Sequence, residues 1–310
     1  MELQGLPLAL KRRFPSHEFV SVPALKPDTP YAGFTSGPLP VPTGVRANPA
    51  LMKIVRKAAE LADDPTFSLI LILDDLELDN SHQPGVVVET VRQAFQTHLQ
   101  GLSLPPSQVA QIRQSIQDKV SFHLAVLMVE SWLFADPQGA GRAGAGPSRL
   151  PPQLSPGLDP ESLRFVDPSY LADRGGSCAC WRDLSAQKQK EHRPMWLKPS
   201  IFPRRDEHPK AAMAWLCLQA NEKKCSSYKE SIGGLTVLEP SHLNTRVGAT
   251  ALAQLDWESV LAAPNHMRFL RAMNNDLSEF FTDPDAFSRG DEAPETSLKA
   301  RQPSRVLRNL

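Results

Sequence analysis

The sequence predicts an α/β fold: a parallel sheet flanked by helices, followed by a mostly helical C-terminal extension. Three observations carry this. Two short runs, "FSLILIL" (67–73) and "FHLAVLMVE" (122–130), are almost wholly apolar and do not alternate, as in strands buried on both faces of a parallel sheet. The segments before and between them place apolar residues at helical spacing. Their order is strand, helix, acidic strand, helices, strand, the alternation that builds layered α/β sheets.

Taken in order, "HEFVSVPAL" (17–25) reads as a short strand, and a Pro- and Gly-rich loop covers 26–47. Asn48 followed by Pro49 is a helix start: a capping side chain, then a residue whose φ is preset for the first turn. Leu51, Ile54, Val55, Ala58 and Leu61 or Ala62 continue that helix on one face. After strand 67–73, a helix is expected over 84–100, with Val87, Val88, Val91, Phe95 and Leu99 inward and Gly101 closing it. A second follows over 107–119, with Val109, Ile112 and Ile116 inward. Residues 1–136 thus form the α/β region. Residues 137–160, rich in Gly, Ala and Pro, read as a linker or loop. Residues 161–282 read as a helical part of the same domain, with helices over 208–220, 248–262 and 266–281, and 283–310 as a disordered tail.

Composition narrows the function. The chain is 41% hydrophobic and 22% charged, as globular proteins are, and no apolar run approaches the roughly 20 residues of a membrane span. No signal peptide is visible at "MELQGLPLALKRRFP", and four cysteines are too few for a disulfide scaffold, so a reducing cytoplasm is expected. Formal net charge is zero, which removes any global pull toward nucleic acid or anionic membrane; a nucleic-acid partner would need a local basic patch. Cys178, Cys180, Cys217 and Cys225 do not have zinc-site spacing. No Walker-type loop is present, and Ser131 has no obvious His partner for a nucleophile elbow.

The chemistry-bearing feature is the end of the first apolar strand, where Asp74, Asp75, Glu77 and Asp79 arrive within six positions. Ligands of α/β sheets sit beyond the carboxyl ends of the strands. Carboxylates there are the usual means of holding Mg²⁺, a hard ion that takes oxygen ligands and keeps several waters. The second strand also ends in an acid, Glu130. The plainer alternative is a solvated run, with Asp79-Asn80-Ser81 capping the next helix and Glu130 favoured by a helix dipole.

"LILILDDLELD", "AVLMVESWLFADP", "HPKAAMAWL" and "YKESIGGLTVLEP" together resemble a bacterial domain-of-unknown-function family with a TOPRIM-like fold. That family is similar to the nuclease halves of the overcoming-lysogenization-defect (OLD) proteins. The likeness covers roughly residues 2–281. It implies a TOPRIM-like (Rossmann-like) parallel sheet and a Mg²⁺- or Mn²⁺-dependent nuclease, acting in phage defence on nucleic acid or with a partner protein such as an ATPase. The alternative it leaves is a catalytically degenerate binding protein. It implies Glu2 as a catalytic residue, matching the second Glu of the family's opening Glu-Gly-x-Ser/Thr-Glu turn, with the first Glu, the general acid/base, and its strand absent. The chain has then either a start assigned too late or lost its first Glu. The resemblance further implies Asp74, Asp75, Glu77 and Glu130 as metal ligands, with Asp74 favoured at the strand end, and Lys210 and His208 as phosphate contacts. Its Asp-x-Asp pattern is not matched cleanly, since Leu76 follows Asp74 and Glu77 follows Asp75 at that spacing.

Overall fold

The computed structural model describes residues 2–22, 33–35, 37–39, 48–145, 159–191, 193–220, 249–262 and 266–282. In chain order the named elements are α1 (Glu2–Arg13), α2 (Pro49–Asp63), β1 (Ile70–Leu76), α3 (Pro84–Gln100), α4 (Pro106–Lys119), β2 (Val120–Val126), α5 (Glu130–Ala135), α6 (Gly139–Arg142) and α7 (Pro168–Ala172). Then come α8 (Ala179–Arg182), α9 (Ala186–Glu191), α10 (Pro209–Ala220), α11 (249–253), α12 (Trp257–Val260) and α13 (Arg268–Thr282). The protein is α/β, with a small parallel sheet and mostly helical content. Among the described residues no helix is long and apolar enough to cross a membrane. The chain forms two units: residues 29–126 with 268–310, and residues 1–28 with 127–267.

In the first unit β1 and β2 pair in parallel, Ile70 opposite Val120 through Leu76 opposite Val126. α2 packs on both α3 and α4, and α2 and α4 pack on the strands. The sequence explains α2 well. Asn48 Oδ1 accepts from Ala50 N at 2.8 Å, Pro49 takes the first turn, and Leu51, Val55, Ala58 and Ala62 are buried. α3 runs over 84–100 as its periodicity predicts, with Val87, Val88, Val91, Phe95 and Leu99 buried.

Both strands are displaced from the expected limits, to 70–76 and 120–126. Pairing decides this. The ladder cannot begin before Val120, because α4 runs to Lys119, and a turn bond from Phe67 N to Asp64 O occupies the front of the apolar run. β2 stops at Val126 because Leu127 and Met128 have φ of 55° and 80°, in the left-handed region that non-glycine residues seldom enter. The strand expected at 17–25 is not found in its described part, 17–22, and residues 23–25 lie outside the described residues.

In the second unit the core is aromatic. Phe165 meets Phe134 at 5.0 Å and Tyr170 at 5.9 Å, and Tyr170 meets Trp215 at 5.4 Å, all edge-to-face, the geometry ring quadrupoles favour. Their polar tips are satisfied: Tyr170 OH donates to Arg205 O at 2.9 Å, and Trp215 Nε1 donates to Asp173 Oδ2 at 2.7 Å. The described part of the stretch read as a linker packs here. Residues 139–142 form α6, and a Cβ on Gly139 would sit 2.2 Å from Leu133 O, so the missing side chain permits the approach to α5. Residues 146–158 and the expected tail, 283–310, lie outside the described residues.

Candidate functional site

The acids of the "DDLELD" segment sit otherwise than on a simple strand-end turn. Asp74 and Asp75 both belong to β1, as neighbours of Leu124 and Ala125 in the ladder. Successive strand side chains point to opposite faces, so the two carboxylates leave the sheet on opposite sides. Asp74 shares its face with Ile72, Leu76 and Phe122, where Phe34 packs with its ring centroid 6.4 Å from that of Phe122. Asp75 shares its face with Ser121 and His123. Both acids are half-buried. Glu77 follows the strand, half-buried, at the head of a short 3₁₀ turn (Leu78–Asn80) without a side-chain capping bond. Asp79 is exposed.

The strand end is covered by residues 33–35 and 37–39. Thr35 Oγ1 lies 2.5 Å from the Asp75 carbonyl oxygen and 3.1 Å from Asp74 Oδ2, with a single proton to donate. Asn80 locks this covering segment. Its Nδ2 donates to the carbonyls of Thr35 and Gly37, each at 2.8 Å, and its Oδ1 accepts from Leu39 N at 2.9 Å and Gln83 Nε2 at 3.0 Å. Two donors and two lone pairs are all used, so a fully buried amide is satisfied. Asn80 therefore does not cap the next helix. The cap position of α3 is Gln83, which makes no side-chain capping bond.

Glu130, in the other unit, is not a strand-end residue. It is the first residue of α5, only 2% exposed, just after the left-handed pair Leu127 and Met128. Ser131 Oγ donates to Met128 O at 2.9 Å, which ties this turn together and uses the hydroxyl structurally. Asp136 is a buried hub: it accepts from Gln138 N and Asp256 N, each at 2.9 Å, and pairs with Arg142. Glu2 opens α1, and its side chain lies outside the described residues. Among the described residues no three His, Cys, Asp or Glu gather as a metal-holding group.

His208 precedes α10, and its Nδ1 accepts from Ala211 N at 3.3 Å, a capping role. Burial, with a smaller push from the Lys210 charge, lowers its pKa to about 4. The imidazole is thus neutral at pH 7 and offers a phosphate no charge. Lys210 is half-buried in the first turn of α10. Arg205 is consumed inside the fold, stacked 4.8 Å over Phe202 and donating to the Asp173 carbonyl at 2.8 Å. Cys217 Sγ bonds Ala143 O, and burial pushes its thiol up to about 12, so it is inert. Cys178 is buried; the Cys180 side chain and Cys225 lie outside the described residues.

One polar cluster is absent from the sequence-derived candidates. On the Asp75 face of the sheet, His123 Nε2 lies 3.0 Å from Asp276 Oδ2 of α13 and 2.8 Å from Ser121 Oγ, and Ser121 Oγ lies 3.4 Å from the same carboxylate oxygen. All three side chains are buried. In a nucleophilic relay, hydroxyl and carboxylate use opposite ring nitrogens. Here both use Nε2, so the cluster satisfies buried polar groups and does not activate Ser121. Its signal was the polar pair Ser121-x-His123 on an otherwise apolar strand, facing an Asp on the apolar stripe of α13.

The chain matches no protein-family model, no curated protein and no solved structure.

Proposed function

We propose that the protein is a TOPRIM-like, Mg²⁺- or Mn²⁺-dependent nuclease, with Asp74 as the principal cation ligand and Glu77 in support. The observation that carries this reading is the position of Asp74: a half-buried carboxylate near the carboxyl end of a parallel strand in an α/β unit. Mg²⁺ does not require a cage of protein ligands, since it is commonly held by one or two carboxylates together with substrate phosphates and waters. The cation would polarise a phosphoryl oxygen and generate a nucleophilic water. Asn80 and Thr35 would fix the strand end around Asp74. The family resemblance would make this a phage-defence activity, and the sparse cysteines would fit a reducing cytoplasm.

The opposite facing of Asp74 and Asp75 favours a second reading, a catalytically degenerate relative that binds nucleic acid or a partner protein such as an ATPase. Cleavage separates the two. The full chain should cut plasmid or single-stranded nucleic acid with Mg²⁺ or Mn²⁺ and not with EDTA, and Asp74→Asn should slow this about tenfold or more. Cleavage that is unchanged by EDTA and by Asp74→Asn would rule out the metal reading. Binding of nucleic acid without cleavage under either metal would support the degenerate one.

A further inference from the structure

We propose that the cleft between the last turn of α1 and residues 254–258 is a binding site for phosphate groups, built on Arg12, Arg13 and Arg142. The cleft has a volume of about 420 Å³ and is also lined by Gln254, Asp256 and Trp257. That is within the roughly 300–1,000 Å³ of small-molecule sites. The proposal does not depend on the cation reading of β1, because every lining residue belongs to the unit that lacks β1.

The arginines reach the cleft from two separate elements. Lys11, Arg12 and Arg13 form the last turn of α1, where positive charge complements the exposed carbonyls. That preference accounts for basic residues on α1, but not for Arg142, which arrives from α6. Arg142 is held from behind by Asp136, whose side chain is 1% exposed. Arg12 Nη1 donates to Ala253 O at 3.3 Å, and the Arg13 guanidinium lies 5.7 Å from the Phe14 ring centroid. Each guanidinium carries five donors in a rigid fork suited to phosphate oxygens. The contact described for Arg12 uses one of them, and that for Arg142 uses one.

Two carboxylates share the cleft. Asp256 is turned onto its own helix, accepting from Ser259 N at 3.2 Å and Ser259 Oγ at 2.7 Å, while Glu258 is exposed. With Asp136 counted against Arg142, three guanidinium groups face three carboxylates and the cleft has no net formal charge; its preference for phosphate rests on the guanidinium forks, whose geometry matches phosphate oxygens. Trp257 and Leu255 are buried, with the indole donating to Ala9 O at 3.0 Å, and give the cleft a fixed apolar wall. A phosphate could come from a small polyphosphate or from a nucleic-acid backbone.

Calorimetric titration of the full chain tests this, with inorganic pyrophosphate in one arm and a single-stranded oligonucleotide in the other, at about 50 and 200 mM salt. Wild type should saturate. Arg12→Gln with Arg13→Gln should weaken binding about tenfold or more while leaving the melting temperature near wild type, because both side chains are exposed. Arg12→Lys with Arg13→Lys should fall between, since charge remains and the fork is lost. Saturation by pyrophosphate identifies a small phosphate ligand. Saturation by the oligonucleotide alone, with the same loss in the Gln variant, identifies nucleic acid as the source. No saturation in either arm, or equal binding by wild type and the Gln variant, would overturn the proposal.

Discussion

Asp276→Ala should destabilise the protein by about 3 kcal/mol, measured by urea unfolding. An ionised Asp276 offers only acceptors, so the His123 Nε2–H donates to it across 3.0 Å in a site where His123 is 2% exposed. Removing the carboxylate leaves that donor, and the Ser121 hydroxyl beside it, without their main acceptor in the core. His123→Leu should be comparably harmful, because it removes the buried imidazole that meets the Asp276 carboxylate at 3.0 Å. His123→Leu combined with Asp276→Leu should cost less than the two single losses together, since neither partner is then left unpaired. Strict additivity would mean that the two groups do not interact. A loss below about 0.5 kcal/mol for Asp276→Ala would place water at the cluster.

Asp136→Ala should be of similar size, about 3–5 kcal/mol, again by urea unfolding. Two backbone N–H groups, of Gln138 and Asp256, and the Arg142 guanidinium converge on this one buried carboxylate. Its loss strands a partly buried cation and detaches residue 256 from residue 136. Asp136→Asn keeps an acceptor oxygen and the volume, so it should cost less. It should also lower phosphate affinity in the Arg12–Arg13–Arg142 cleft, because Arg142 is positioned through Asp136. Wild-type stability for Asp136→Ala would show that Arg142 has an alternative anchor.

The sequence signals that succeeded were local ones. Asn48-Pro49 and the spacing of Leu51, Val55, Ala58 and Ala62 specify α2 by capping and periodicity, and both act within a few residues. Strand limits were less legible, because a partner sets them. The apolar run began at Phe67, yet the ladder begins at Ile70, where Val120 becomes available after α4. The site suffered from the same dependence. The "DD" of β1 reads as a pair of ligands, but the pleat separates Asp74 and Asp75 across the sheet. Asn80 resembled a helix cap because its true partners, Thr35, Gly37 and Leu39, lie in a Pro-rich stretch without periodicity. Glu130 appeared in sequence as the end of a strand, whereas the left-handed Leu127 and Met128 turn the chain first.

Whether a cation binds at the end of β1 is decided most directly by thermal melting of the wild type and of Asp74→Asn with Asp75→Asn, each in EDTA and in millimolar Mn²⁺. A cation that binds only the folded state stabilises it by about 2.7 kcal/mol when free metal is a hundredfold above its dissociation constant. The wild type should therefore melt at a higher temperature in Mn²⁺ than in EDTA, and the double variant should lose that difference. A wild-type melt that does not move with Mn²⁺, or a metal shift that survives in the double variant, would contradict the assignment of Asp74 as a cation ligand.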